Sequence, residues 1–234
     1  MIKVVLYILL LVAILTSCTK DPIDNPEVFT GKEYFPLKSN NYLIYKITQI
    51  TIDKPSDLYD TSIYYIKEVV DVQFIDNEGD SAFRIERYRS ENLDNNWIIN
   101  SVWASKLSGN TAEKVEENER IVKLRFPVTE DLSWNGNLLN DLEEQEFWIS
   151  SINQDYNLNT FVFDSCLTVF QDSSSSLIHK DLAYEIYAYR TGLVYKEMTY
   201  LNSQEVIYGV PIENRITTGT IYIQELVEIG QNDN

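Results

Sequence analysis

From Tyr34 onward, apolar and polar positions alternate in short runs rather than recurring every three or four residues. The runs are rich in Tyr, Ile, Val, Phe and Thr. A period of two belongs to strands, whose successive side chains point to opposite faces. The pattern predicts strands at 42–52, 62–75, 81–90, 97–107, 119–126, 145–152, 160–171, 182–190, 193–201 and 220–228. Turn chemistry separates them. "DNEGD" at 76–80 reads as a hairpin turn in which Gly79 supplies positive φ, and "RTGL" at 190–193 as a second. "DSSSS" at 172–176 reads as a flexible loop. In 119–126, Ile121, Lys123 and Arg125 alternate with Val122, Leu124 and Phe126, which predicts one wet and one buried face. Helical spacing is confined to 136–146, where Leu138, Leu139 and Leu142 sit among acids and predict one short helix.

About ten sequential strands predict an all-β fold, mainly antiparallel. The expected form is a strongly curved sheet, barrel-like or folded as a two-sheet sandwich. Closure into a barrel would remove the open edges that long strands otherwise leave. We assign residues 34–230 to this single domain and 231–234 to a tail.

The residues before it follow different rules. Lys3 gives a positive start, and Val4 to Leu15 are nearly all apolar. That run is shorter than the about 20 residues a spanning helix needs, and it fits a secretory signal core. It ends in Leu15-Thr16-Ser17-Cys18. This motif resembles the lipobox of bacterial lipoproteins, in which small residues precede a cysteine. The resemblance implies that residues 1–17 are a signal peptide, that diacylglycerol is attached to the Cys18 sulfur, and that the new α-amine is acylated. Several acyl chains anchor a protein stably, at about 0.8 kcal/mol per buried CH₂. Residues 18–33, with two prolines and several acids, then read as a lipidated cysteine and an extended tether.

Charge sharpens this picture. The chain carries 36 acids against 19 bases, a formal charge of -17. Cleavage before Cys18 would remove one lysine and no acid, leaving 18 bases against the same 36 acids, or -18. Such a surface repels nucleic acid and anionic headgroups, so nucleic acid is excluded as a partner and the lipid must hold the protein at the membrane. The expected location is the cell envelope: the outer membrane, on its periplasmic face or at the cell surface.

Three further landmarks carry a second resemblance: "YFPLKSNNYLIYKI" at 34–47, "RFPVTEDLSWNGN" at 125–137 and "GLVYKE" at 192–197. Together they resemble a broad group of Bacteroidota lipoproteins that place an aromatic-Pro-Leu element after the tether. Where that group has a glycine and a tryptophan, this chain reads "SNNYLIY". The resemblance supports the fold and the address, and implies no active site.

Candidate chemistry is sparse. Two cysteines are present, and lipid on Cys18 would leave Cys166 without a disulfide partner. A thiol or serine nucleophile needs a base, and His179 is the chain's one histidine. One histidine and one free cysteine do not make a zinc site, and no metal or other cofactor is expected. Hard oxygen ligands for calcium occur at 76–80, 129–131 and 141–146, without the spacing of an EF-hand, and read as solvated turns and a charged face. Among 36 acids no glycosidase pair stands out. The aromatics are the remaining candidates for ligand binding. Trp134, Trp97, Trp103 and Trp148 have flat faces suited to sugars or apolar ligands, though most aromatics in strands serve cores and cross-strand pairs. Trp134, in "SWNGN", could equally plug one end of a barrel.

These readings favour a lipid-anchored, non-catalytic binding or assembly module of the bacterial envelope, its ligand a glycan or an envelope protein. Two alternatives stand beside it. A carrier of an apolar ligand requires a continuous apolar inward face, and a carboxylate hydrolase requires two convergent acids.

Overall fold

The computed structural model describes residues 29–94 and 96–232. Twelve strands form one antiparallel sheet. They are β1 Asn41–Asp53, β2 Leu58–Ile75, β3 Ser81–Ser90, β4 Ile98–Ser108, β5 Thr111–Glu116 and β6 Glu119–Arg125, followed by β7 Ser133–Asn135, β8 Glu146–Leu158, β9 Phe161–Ser175, β10 His179–Ala188, β11 Gly192–Asn202 and β12 Thr218–Gln231. Each predicted strand is present, and the turns at 76–80 and 190–193 join β2 to β3 and β10 to β11. Gly79 takes φ 86° in open space, where a glycine costs nothing sterically.

The sheet order is β6-β5-β4-β3-β2-β1-β12-β11-β10-β9-β8-β7. Every sheet neighbour is also a sequence neighbour except β1 and β12, which pair over their whole lengths. The chain thus starts mid-sheet, winds out to one edge at β6, passes to the other edge at β7 and winds back. Laid flat, twelve strands about 4.8 Å apart would hold those edges about 50 Å from each other. Segment 126–132, which joins them, spans at most about 30 Å when fully extended. The sheet must therefore roll until its edges meet, and the result is a nearly closed barrel.

The edges meet along a seam. The Val122 amide donates to the Gly136 carbonyl at 2.9 Å, and Trp134 Nε1 donates to the Val122 carbonyl at 2.8 Å. Asn140 Nδ2 reaches the Arg120 carbonyl at 3.1 Å. Gly136 is required here because an added Cβ would lie 2.5 Å from the Phe147 ring. Bulges supply the curvature, with extra residues in β2, β4, β6 and β12 and along β8.

Several expectations are corrected. No helix forms over 136–146, which is a run of turns and bends. The Asn135 side chain accepts from the amides of Asn137 and Gln145, and Asn137 Nδ2 caps the Glu143 carbonyl. Asparagines that bond the backbone locally compete with a helix. Leu138, Leu139 and Leu142 stay exposed, so the apolar spacing had nothing to pack against. The serine run is not a loop: Asp172 to Ser175 continue β9 and pair with Ala183 to Lys180, because a long partner strand outweighs weak β-propensity. β5 and the three-residue β7 were not predicted. Strand β12 runs to Gln231, into the segment read as a tail. The packed body also begins earlier than Tyr34. Phe29 contacts Tyr34 and Tyr189 edge-on or tilted, and Thr30 and Glu33 accept backbone bonds from Val128 and Arg190. The proposed signal peptide and Cys18 lie outside the described residues.

Two apolar clusters hold the sheet. One lies beside the seam and joins Tyr34, Leu124, Trp134, Phe147, Ile149 and Leu167. The other joins Tyr45, Ile47, Ile66 and Leu226 with Leu158, Cys166 and Ile186.

Candidate functional site

Away from the seam the interior mixes apolar and charged side chains and leaves space between them. Two adjoining cavities of about 140 and 290 Å³ share Glu68, Lys114 and Glu116 in their walls. Strand register explains why charges face inward. On β1, Leu43, Tyr45 and Ile47 share one face, opposite Glu68, Ile66 and Tyr64 of β2. Glu68 is in turn opposite Arg87 of β3, and Ser105 of β4 opposite Lys114 of β5. On the far wall, Gln224 of β12 is opposite Lys196 of β11, which is opposite Glu185 of β10. In β6 a register slip leaves Lys123 without a cross-strand partner. A bulge re-aims the side chain it frees, and the Lys123 ammonium reaches Glu185 at 2.6 Å. This corrects the expected wet face: Lys123 is 3 % exposed and Glu185 fully buried.

The result is a belt of ion pairs around the lumen. Glu68 accepts from Arg87 Nε at 2.8 Å and from Lys114 Nζ at 3.0 Å. Glu116 lies 3.7 Å from Lys123 and 3.9 Å from Lys114. Glu185 takes Lys123, Lys196 at 3.3 Å and the Tyr187 hydroxyl at 2.5 Å. The Lys123–Glu185 bridge crosses the barrel, from the strand at one edge to a strand three places from the other.

Each carboxylate in the belt is held ionised. Burial alone would raise the Glu116 carboxyl, yet the ammoniums of Lys123, Lys196 and Lys114 outweigh it and hold it at about 2. Burial opposes ionisation of Glu185 too, and Lys123 and Lys196 overcome it. Glu68 is likewise lowered, by Lys114 and Arg87 against desolvation. Lys196 is raised by Glu185 and Glu116 in spite of burial. Burial keeps the Tyr45 and Tyr187 phenols protonated, and for Tyr187 the Glu185 charge adds to it.

The four tryptophans have different fates. Trp103 lines the larger cavity, with the Arg87 guanidinium 3.7 Å over its ring and Nε1 donating to Glu117 at 3.2 Å. Trp134 is buried in the seam, where its bond to Val122 makes it a closure residue. Trp148 stacks on Phe170, which stacks on Tyr184. Their faces cover one another, a cross-strand ladder rather than an open platform. Trp97 is half-buried just before β4 and is not part of either cavity wall.

Other candidates resolve simply. Cys166 is a free, buried thiol that desolvation raises to about 11, which leaves it protonated and unreactive. His179 Nδ1 lies 2.6 Å from Ser176 Oγ in the tight turn between β9 and β10. Asp76, Glu78 and Asp80 do converge, but Lys106 Nζ lies among them at 2.6, 2.6 and 3.0 Å. Arg120 bonds Glu78 from the other side at 2.6 Å. Two of the chain's own cations thus occupy the turn and offset most of its three negative charges.

Sequence reasoning missed the belt: of its members alternation assigns a face only to Lys123, and that is the wet one. Their one sequence-level sign is that β-rich segments here carry charges on the face alternation would bury. No helix among the described residues is long and apolar enough to cross a membrane. No family model matches the chain, and neither the characterised proteins nor the solved structures contain a significant match.

Proposed function

We propose that the protein is a lipid-anchored, non-catalytic binding module of the bacterial cell envelope, with the barrel lumen as its ligand site. One observation carries the binding role: a cavity of about 290 Å³ inside the sheet, walled by side chains from seven strands in which charged groups interrupt apolar ones such as Ile66, Leu193 and Met198. That volume sits at the lower end of the about 300–1,000 Å³ usual for ligand sites, which favours a small ligand. The belt weighs against an apolar cargo, because charges interrupt the inward face. It also weighs against hydrolysis: a glycosidase needs one carboxyl held protonated near neutral pH, and here Glu68, Glu116 and Glu185 are all pushed the other way. The anchor rests on Leu15-Thr16-Ser17-Cys18.

Two measurements test this reading. Radiolabelled palmitate should enter the wild-type chain and not Cys18→Ala; label in both, or in neither, refutes the anchor. Trp103 emission, assigned with Trp103→Phe, should change saturably with at least one of glucose, N-acetylglucosamine, acetate, succinate or palmitate, with the added compound recovered unchanged. If none saturates, or the compound is consumed, the binding reading fails.

A further inference from the structure

We propose that the lumen is a receptor for a small ionised carboxylate, held by Arg87, Gln224 and Lys196. The inference deepens the proposed function and rests on the lumen being the ligand site.

The first support is a surplus of positive charge. Arg87, Lys114, Lys123 and Lys196 face Glu68, Glu116 and Glu185, so four cations meet three carboxylates. Toward solvent Arg89 pairs with Glu91 at 3.0 Å, and Glu117 in the cavity wall accepts from the neutral Trp103 indole. The belt itself thus holds one cation more than its carboxylates, within a chain of net charge -17. A small anion lodged against Arg87 and Lys196 answers that surplus.

The second support is independent of charge counting: the cavity wall holds donor protons left over once the protein's own acceptors among the described residues are used. Gln224 is 4 % exposed. Tyr222 donates to its Oε1 at 2.8 Å, which orients the amide and leaves Nε2 without a partner among the described residues. Arg87 is 8 % exposed. Its Nε is taken by Glu68 and its flat face lies over Trp103, while its Nη atoms have no partner among the described residues. Lys196 offers three protons, and its one close acceptor is Glu185 at 3.3 Å. All three side chains line the same cavity. Gln224 Nε2 and the Arg87 Nη atoms are not taken by a protein acceptor among the described residues, and Lys196 keeps protons beyond its bond to Glu185, so the three can turn together to an acceptor in the space they line. A planar guanidinium edge beside an amide NH₂ and an ammonium matches the two oxygens of a carboxylate. Tight stacking on Trp103 holds the guanidinium plane in place before the ligand arrives.

The test is calorimetric titration of the purified full chain with acetate and succinate, and with succinamide and inorganic phosphate as comparison arms. Saturable binding of at least one carboxylate, with none of succinamide, is expected. Gln224→Glu keeps the acceptor for Tyr222 and replaces the free donor with a like charge. It should weaken that binding tenfold or more while the near-ultraviolet dichroism stays native. Arg87→Lys keeps the charge beside Glu68 but removes the fork, and should weaken it too. Succinamide binding as tightly as succinate, phosphate binding when neither carboxylate does, or full affinity in a folded Gln224→Glu chain would overturn the proposal. If glucose or N-acetylglucosamine saturates the lumen and no carboxylate does, the carboxylate inference falls and the binding module stands; if nothing saturates it, both fall.

Discussion

The half of the barrel beside the seam and the half around the lumen are built from the same kind of strand, yet they are filled in opposite ways. Beside the seam, Leu124, Trp134, Phe147, Ile149 and Leu167 interlock into a solid apolar core. Around the lumen, seven ionised side chains leave open space. Burying apolar surface stabilises at about 25 cal/mol per Å². A buried ion pair commonly costs as much in desolvation as it regains in attraction. The two apolar clusters therefore carry the fold, and the belt beside the second spends stability on a specific electrostatic arrangement. A chain optimised for stability alone would have filled both halves alike. Tyr187 belongs to both, since its ring packs in the seam cluster and its hydroxyl donates to Glu185.

The sharpest way to break this comparison is to remove the hub of the belt. Glu185→Leu removes the nearest carboxylate of Lys123 and Lys196, leaving both to the more distant Glu116, and should destabilise by about 3 kcal/mol in urea unfolding. Adding Lys123→Met and Lys196→Met to it should recover much of that loss, since apolar replacement of a whole buried network is often neutral. No recovery would mean that the belt itself holds the barrel together.

At the seam, Trp134→Phe keeps an aromatic ring but leaves the Val122 carbonyl without its donor. A cost of about 1–3 kcal/mol is expected. Native-state hydrogen exchange should quicken first at the Val122 amide, which bonds to Gly136. Exchange that quickens equally in β1 and β12 would show that Trp134 has no special part in closure.

The smallest expected effect is a change in acid sensitivity. A carboxyl whose folded pKa lies below its unfolded value stabilises the fold above the unfolded pKa, and loses that contribution as pH falls through the folded one. Glu116 falls from an ordinary 4.5 to about 2 on folding, and Glu185 and Glu68 shift the same way. Stability should therefore decline as pH drops from about 4.5 to about 2. In Glu116→Gln this acid limb should be shallower, with thermal midpoints measured across that range. An unchanged slope would remove Glu116 from the belt's electrostatics.

Strand content was readable because period-two alternation and turn residues are local. β1, β3, β4 and β11 fall within two residues of their predicted ends. β5 escaped because "TAEKVE" places Lys114 and Glu116 where alternation asks for apolar residues. The helix expected at 136–146 failed for the converse reason. Its leucine spacing was correct, but asparagine side chains took the backbone bonds and no surface faced the leucines. Of the four tryptophans singled out, composition could not say that Trp103 would line a cavity while Trp134 sealed a seam, because that depends on which strand edge meets which.

The sequence by itself determined an acidic, strand-rich domain, two of its hairpin turns and the lipobox-like start. These are set by nearest neighbours, composition and the two-residue repeat of an extended chain. Only the tertiary structure decided that the sheet closes, and that Lys123 meets Glu185, 62 positions away, inside it. The physical reason is that closure follows from a short connection between opposite edges. Whether a lysine lies in water or in a lumen depends on a bulge and a far strand, and neither leaves a periodic trace in the chain.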